Sequence, residues 1–105
     1  MIERETVEAQ EPLPVGVWPT MITPFLHDGQ IDWRGVDALV EWYLGRGVAG
    51  IFAVCLSSEM YALTPDERLA LAAHVVARAA GRVPVVASGT FGGPIAQQAS
   101  FAVRM

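Results

Sequence analysis

Between Gly50 and Arg68 the chain reads GIFAVCLSSEMYALTPDER, an apolar run that breaks into Ser57, Ser58 and Glu59 before a helix opens. Residues of these types at the end of a strand have a definite chemistry open to them. Two adjacent hydroxyls, with the backbone amides around them, can hold a small carboxylate by charge-assisted hydrogen bonds. The same serines can instead satisfy the polar backbone of a loop, and pattern alone favours that simpler role. Glu59 can act as a carboxylate or orient the loop, and structural hydrogen bonding is the plainer reading.

Other reactive side chains are few. Cys55 is the single cysteine, so no internal disulfide is possible, and its expected role is that of a small buried hydrophobe. His27 and His74 are the two histidines, which with Cys55 do not supply the ligand count or spacing of a structural zinc. His27 reads as an exposed loop residue and His74 as a helix-surface residue, neither with a sequence-evident partner for acid–base work. All seven basic residues are arginine. Without lysine no side chain can form an imine with a carbonyl substrate, because a guanidinium is not the amine that Schiff-base chemistry requires. GTFGGP, residues 89 to 94, is a glycine-bearing loop of a kind that can face phosphate, but it lacks the G-x-G-x-x-G order and reads as a turn. Within this sequence we therefore assign no catalytic residue, no metal ligand and no cofactor site.

The elements that must position Ser57 and Ser58 follow from periodicity and punctuation. Residues 1 to 14 are charged and proline-containing and read as a flexible arm. VGVWPTMITPF predicts a first strand over Val17 to Thr23, weakened by Pro19. Asp28-Gly29 supplies a tight turn, and Asp32 caps a helix whose apolar positions are Val36, Leu39, Val40, Tyr43 and Leu44, ending near Gly45 or Gly47. A second strand covers Gly50 to Leu56. Thr64, Pro65 and Glu67 form a capping box with proline at the first helical position. The helix they open presents Leu69, Ala72, Ala73, Val76 and Ala80 inward and stops at Gly81. VPVVAS predicts a third strand over 83 to 88, and a third helix begins near Pro94 and contains the last residue, Met105.

Strand starts near residues 17, 50 and 83 repeat at roughly 33 residues, with one helix between each pair, the size of a strand-helix unit with parallel strands. The expected fold is therefore α/β, three units of an incomplete barrel occupying residues 15–105, because a whole eightfold barrel takes about 250 residues. The carboxyl ends of the strands are where such folds carry their chemistry, and Ser57 and Ser58 stand at one.

Composition narrows the partners. The 105 residues are 52% apolar and 17% charged, enough for one compact unit with a core. Net charge is -4 and the arginines are scattered, which argues against nucleic acid and against a membrane surface as partners. The longest apolar stretch, near Val48 to Leu56, is too short to span a bilayer, and the acidic start lacks the order of a secretory signal, so a cytoplasmic address is expected. Trp18, Trp33 and Trp42 fall in different elements and read as packing residues.

Taken in order, PTMITPF, DGQIDWRGVDALVEWYLGRGVAGIFAV, SEMYALTPDER and GRVPVVASGT resemble successive segments of the dihydrodipicolinate synthase and N-acetylneuraminate lyase family of Schiff-base pyruvate enzymes. The likeness covers nearly everything from Val15 onward and implies the amino-terminal part of a TIM barrel. That family's second-strand signature reads glycine, threonine or serine, threonine, glycine, glutamate; here the register reads Cys55, Leu56, Ser57, Ser58, Glu59. Ser57 then stands for the second hydroxyl, which helps hold the pyruvate carboxylate with neighbouring backbone amides. Leu56 replaces the first, a member of the synthases' proton relay with tyrosines, and it can donate neither a proton nor a hydrogen bond. The resemblance places the imine-forming lysine and the relay tyrosine beyond Met105, so the 105-residue chain is expected to be inactive alone.

Two functional readings follow. In one, the chain is the beginning of a lyase or aldolase whose full-length form, a dimer or tetramer by resemblance, takes a small 2-oxo acid such as pyruvate. In the other, it is a non-catalytic barrel segment that works only by self-association or by pairing with a complementary barrel fragment, covering exposed sheet edges.

Overall fold

A computed structural model describes residues 12–89 and 95–104. Residues 1–11 of the expected arm and residues 90–94 of the glycine-bearing loop lie outside the described residues. The fold is α/β. Helix α1 spans Trp33–Gly45, strand β1 Ile51–Ala53, helix α2 Pro65–Ala79, strand β2 Val85–Ala87 and helix α3 Ile95–Arg104. Two short 3-10 turns, Leu56–Ser58 and Met60–Ala62, lie between β1 and α2. The strands β1 and β2 pair in parallel with Ile51 opposite Val85, Phe52 opposite Val86 and Ala53 opposite Ala87, and α2 makes the crossover between them.

The expected first strand, Val17 to Thr23, is not a strand. Its segment runs parallel to β1 but forms a single bridge, Thr20 to Phe52. Three backbone bonds hold it there: Ala49 N to Val17 O (2.8 Å), Phe52 N to Pro19 O (2.9 Å) and Met21 N to Phe52 O (2.8 Å). Pro19 accepts but has no N–H to give, so the ladder is confined to one short stretch. The two true strands are also shorter than the apolar runs that announce them. After Ala53 the backbone leaves the sheet to build the turn that carries the serines.

Helix α1 starts where Asp32 accepts a hydrogen bond from the Gly35 N–H at 3.0 Å. It closes at Gly47, which takes the left-handed conformation (φ 75) that lacks a steric penalty only for glycine. Helix α2 starts on the expected capping box, with Thr64 Oγ1 accepting from Glu67 N (3.1 Å) and Glu67 Oε1 accepting from Thr64 N (2.8 Å). It ends through Ala80 and Gly81, both left-handed.

The inner face of α2 differs from the expected one by a rotation of one residue. The buried positions are Arg68, Leu71, Ala72, Val75 and Ala79, while Ala73, Val76 and Ala80 are exposed. Both faces are apolar in sequence, and the true one is disguised by Arg68. Its Nε donates to the Met60 carbonyl at 2.8 Å, which makes burial of that charged side chain tolerable. The face expected to be inner instead borders a groove of about 490 Å³ lined by Leu69, Ala72, Ala73, Val76, Ala77 and Arg104.

Between the sheet and helices α1 and α2 lies one core that includes Met21, Val36, Val40, Ile51, Val54, Leu71 and Val75. Each such side chain contributes about 1.5–3 kcal/mol by leaving water. Trp18 covers the start of β1, and a side chain at Gly50 would stand 2.3 Å from its ring.

Candidate functional site

The turn that follows β1 is built from a kink and a clasp. Val54 has φ 51, in the left-handed region, although it is β-branched and fully buried. Such a conformation costs about 1–3 kcal/mol and persists only where surrounding bonds enforce it. They are present on both sides. The Ser88 N–H donates to the Val54 carbonyl at 3.0 Å from the end of β2. On the other side, the Cys55 N–H donates to Ser58 Oγ at 3.1 Å.

Ser58 is completely buried. Its hydroxyl accepts from Cys55 N and donates to the carbonyl of Met21, 37 residues away in the extended segment beside β1. The Cys55 sulfur lies 3.2 Å from the same oxygen. Backbone bonds close the turn as well, from Ser58 N (3.0 Å) and Met60 N (3.3 Å) to Cys55 O, and from Glu59 N (3.0 Å) to Leu56 O. Glu59 is itself left-handed, φ 58, between the two 3-10 turns.

The two serines therefore part company. Ser58 directs its hydroxyl into the protein, while Ser57 is exposed on the outer side of the turn, with Leu56 (71% exposed) before it and exposed Glu59 after Ser58. Cys55 is buried, in keeping with its expected packing role. Met60 and Leu63 sink into the core and anchor the far end of the turn, and Arg68 reaches the Met60 carbonyl from α2. The Arg68 guanidinium also lies 5.5 Å from the Tyr61 ring centroid. An exposed hydroxyl on a rigid, doubly tethered turn at the carboxyl end of a parallel strand can accept or donate one well-aimed hydrogen bond.

Three contributors to this turn carry no distinguishing sequence signal. A carbonyl such as that of Met21 has no signature, the left-handed Val54 is contrary to the propensity of its type, and Arg68 is disguised as a surface residue of an amphipathic helix. Elsewhere, His27 is exposed as expected. His74 does have a partner, since its Nε2 stands 2.7 Å from Asp37 Oδ1 and its ring packs on Trp33 with centroids 4.7 Å apart. That pair lies between helices α1 and α2, away from the turn. Of the glycine-bearing loop only Gly89 is described, and it packs so tightly on α3 that a side chain there would be 2.8 Å from the Ala102 Cα. Among the described residues no group of three or more His, Cys, Asp or Glu side chains could hold a metal ion. No helix among them is long and apolar enough to cross a membrane.

The family model for the dihydrodipicolinate synthetase family matches residues 13–100. The chain belongs to that family. A curated relative, the 4-hydroxy-tetrahydrodipicolinate synthase of Laribacter hongkongensis, is 43% identical over 67 residues, which are 64% of this chain and 23% of the relative. The dihydrodipicolinate synthase of Acinetobacter baumannii, whose structure was solved with pyruvate, superposes with a TM-score of 0.77 at 28% identity, covering 85% of this chain and 30% of that one. The N-acetylneuraminate lyase of Mycoplasma synoviae superposes with a TM-score of 0.67 at 30% identity, covering 70% and 26%. These structural neighbours of the dihydrodipicolinate synthetase family are TIM-barrel enzymes. The chain spans between 23% and 30% of the length of the three proteins compared.

Proposed function

We propose that this chain is the amino-terminal part of a Schiff-base lyase of the aldolase type, whose complete form acts on pyruvate or a related 2-oxo acid. In this reading residues 15–105 are the first strand-helix units of a TIM barrel, residues 1–14 are an arm, and the whole protein is cytoplasmic and assembles with copies of itself. The observation that carries the proposal is the exposed Ser57 on its fixed turn at the end of β1, in a chain of a family whose Acinetobacter baumannii member was solved with pyruvate.

Ser57 supplies a hydroxyl to the carboxylate of the 2-oxo acid, and Ser58 takes part through the turn that it holds. A charge-assisted bond of this kind is roughly twice as strong as one between neutral groups. The covalent step needs a primary amine, which no side chain of this sequence offers, so the proposal assigns the imine-forming lysine to sequence outside these 105 residues. Leu56 brings no proton to the site, which separates the complete enzyme from a synthase that relays protons through that position.

Pyruvate titrated into the chain and followed by amide chemical shifts tests this reading. The Ser57 and Ser58 amides should move together, and Ser57→Ala should weaken the response about tenfold by removing one charge-assisted bond. Borohydride added to the same mixture should leave the mass of the protein unchanged. A turn that stays silent at high pyruvate concentration removes Ser57 from carboxylate binding in this chain, and a pyruvyl adduct on a side chain overturns the assignment of the imine-forming amine to sequence outside it.

A further inference from the structure

Cys55 and Ser58 stand at the two ends of the turn, and in the structure they touch each other. The Ser58 hydroxyl accepts from the Cys55 N–H, lies beside the Cys55 sulfur, and donates to the Met21 carbonyl. One residue earlier stands Val54, held left-handed although its side chain resists that conformation.

We infer that Ser58 is a positioning residue, whose buried hydroxyl holds the Val54–Cys55 backbone kinked and thereby aims Ser57 out of the strand end. Glycine is free to take the left-handed conformation, and valine takes it only under constraint. The constraint comes from both sides of β1 at once. Ser88 N fixes the Val54 carbonyl from β2, and Ser58 Oγ fixes the Cys55 amide while reaching across to the segment on the opposite side of β1. Without that hydroxyl the Cys55 amide and the Met21 carbonyl each lose a buried partner. Val54 can then relax toward extended backbone, and the next three residues rotate with it. What Ser57 binds rests on the reading given above; that Ser58 sets its direction does not.

The test uses Ser58→Ala, Val54→Gly and their combination in the 105-residue chain. The three-bond coupling between the amide proton and the α-proton of Val54 reports its φ without any ligand, and pyruvate affinity reports the aim of Ser57. Ser58→Ala should shift the Val54 coupling to the extended-strand value and weaken pyruvate binding about tenfold, the loss expected when buried hydrogen-bonding groups are left unpaired. With glycine at 54 the kink no longer needs enforcing, so adding Ser58→Ala to Val54→Gly should cost at most about twofold, a failure of additivity that marks coupled residues.

An unchanged Val54 coupling in Ser58→Ala overturns the inference, as does a double variant that loses as much affinity as Ser58→Ala alone. If Ser58→Ala does not fold, a folded double variant supports the inference, and an unfolded one overturns it by showing a purely structural role. Failure of the unaltered chain to bind pyruvate removes the proposed Ser57 contact instead, and the Val54 coupling then decides the role of Ser58 by itself.

Discussion

His74 and Asp37 are joined across the α1–α2 interface by a 2.7 Å contact between Nε2 and Oδ1, with both side chains 34% exposed. Asp37 also stands 4.0 Å from Arg78, and the His74 ring lies against Trp33. The contact joins two residues that are 37 apart in sequence. Exposure limits what it contributes. A double-mutant cycle with Asp37→Asn and His74→Asn, read by urea denaturation, should return a coupling of about 0.5 kcal/mol, within the range of partly solvated pairs. A value several times larger would show that the pair is far better shielded than its exposure implies.

Glu41 continues the same seam. Its carboxylate receives Arg82 Nη2 at 2.8 Å and Arg78 Nε at 3.0 Å. The hydrogen bond from Arg82 holds the Glu41 carboxyl below its ordinary value of 4.5, more than partial desolvation raises it. A carboxyl that is more acidic folded than unfolded contributes stability above its unfolded value, and that contribution is lost as pH falls through its folded value. Unfolding midpoints measured from pH 6 downward should therefore fall less steeply for Glu41→Gln than for the unaltered chain, with the difference developing below about pH 4.5. Parallel acid limbs would remove Glu41 from the acid response.

Gly50 marks where the chain enters β1, and a Cβ there would meet the Trp18 ring at 2.3 to 2.5 Å. The ring cannot retreat freely, since its Nε1 donates to the Pro14 carbonyl at 3.1 Å. Gly50→Ala should destabilise by about 1–3 kcal/mol, the usual cost of overpacking, and should change Trp18 fluorescence in the folded state. An unaltered midpoint would mean that residues 14–18 are free to move away.

Local chemistry explains which parts of this fold are legible from its sequence. Asp32, Thr64, Pro65 and Glu67 act on backbone groups no more than three residues away, so their types alone locate the starts of both helices. Parallel pairing of β1 and β2 follows from one helix between two apolar runs. The first strand is misjudged because apolar β-branched composition says nothing of how many amides are available to a ladder, and Pro19 removes one. The inner face of α2 is misjudged because a helix with two apolar stripes has no unique inward direction in sequence, and the deciding contact, Arg68 to the Met60 carbonyl, is tertiary. At the turn, the residue types Ser57 and Ser58 are visible but their opposite directions are not. Those depend on the Met21 carbonyl, distant in sequence and common to every residue type.

Thr23 ends that same segment and carries the one buried side-chain oxygen or nitrogen among the described residues that has no hydrogen-bond partner, Oγ1. The residue is only 5% exposed. A buried hydroxyl left unpaired costs about 1–3 kcal/mol, whereas a methyl of the same shape in its place carries no such penalty. Thr23→Val should therefore raise stability by about 1 kcal/mol in urea denaturation, with no change in the slope of the transition, because neither the volume nor the surface exposed on unfolding is altered. Serine at the same position should do the opposite, since it keeps the unpaired hydroxyl and loses the methyl that packs. Destabilisation by valine would mean that the Thr23 hydroxyl finds a partner in solution. The segment beside β1 would then be held by more than the bonds of Val17, Pro19 and Met21, and the clasp from Ser58 would share its task.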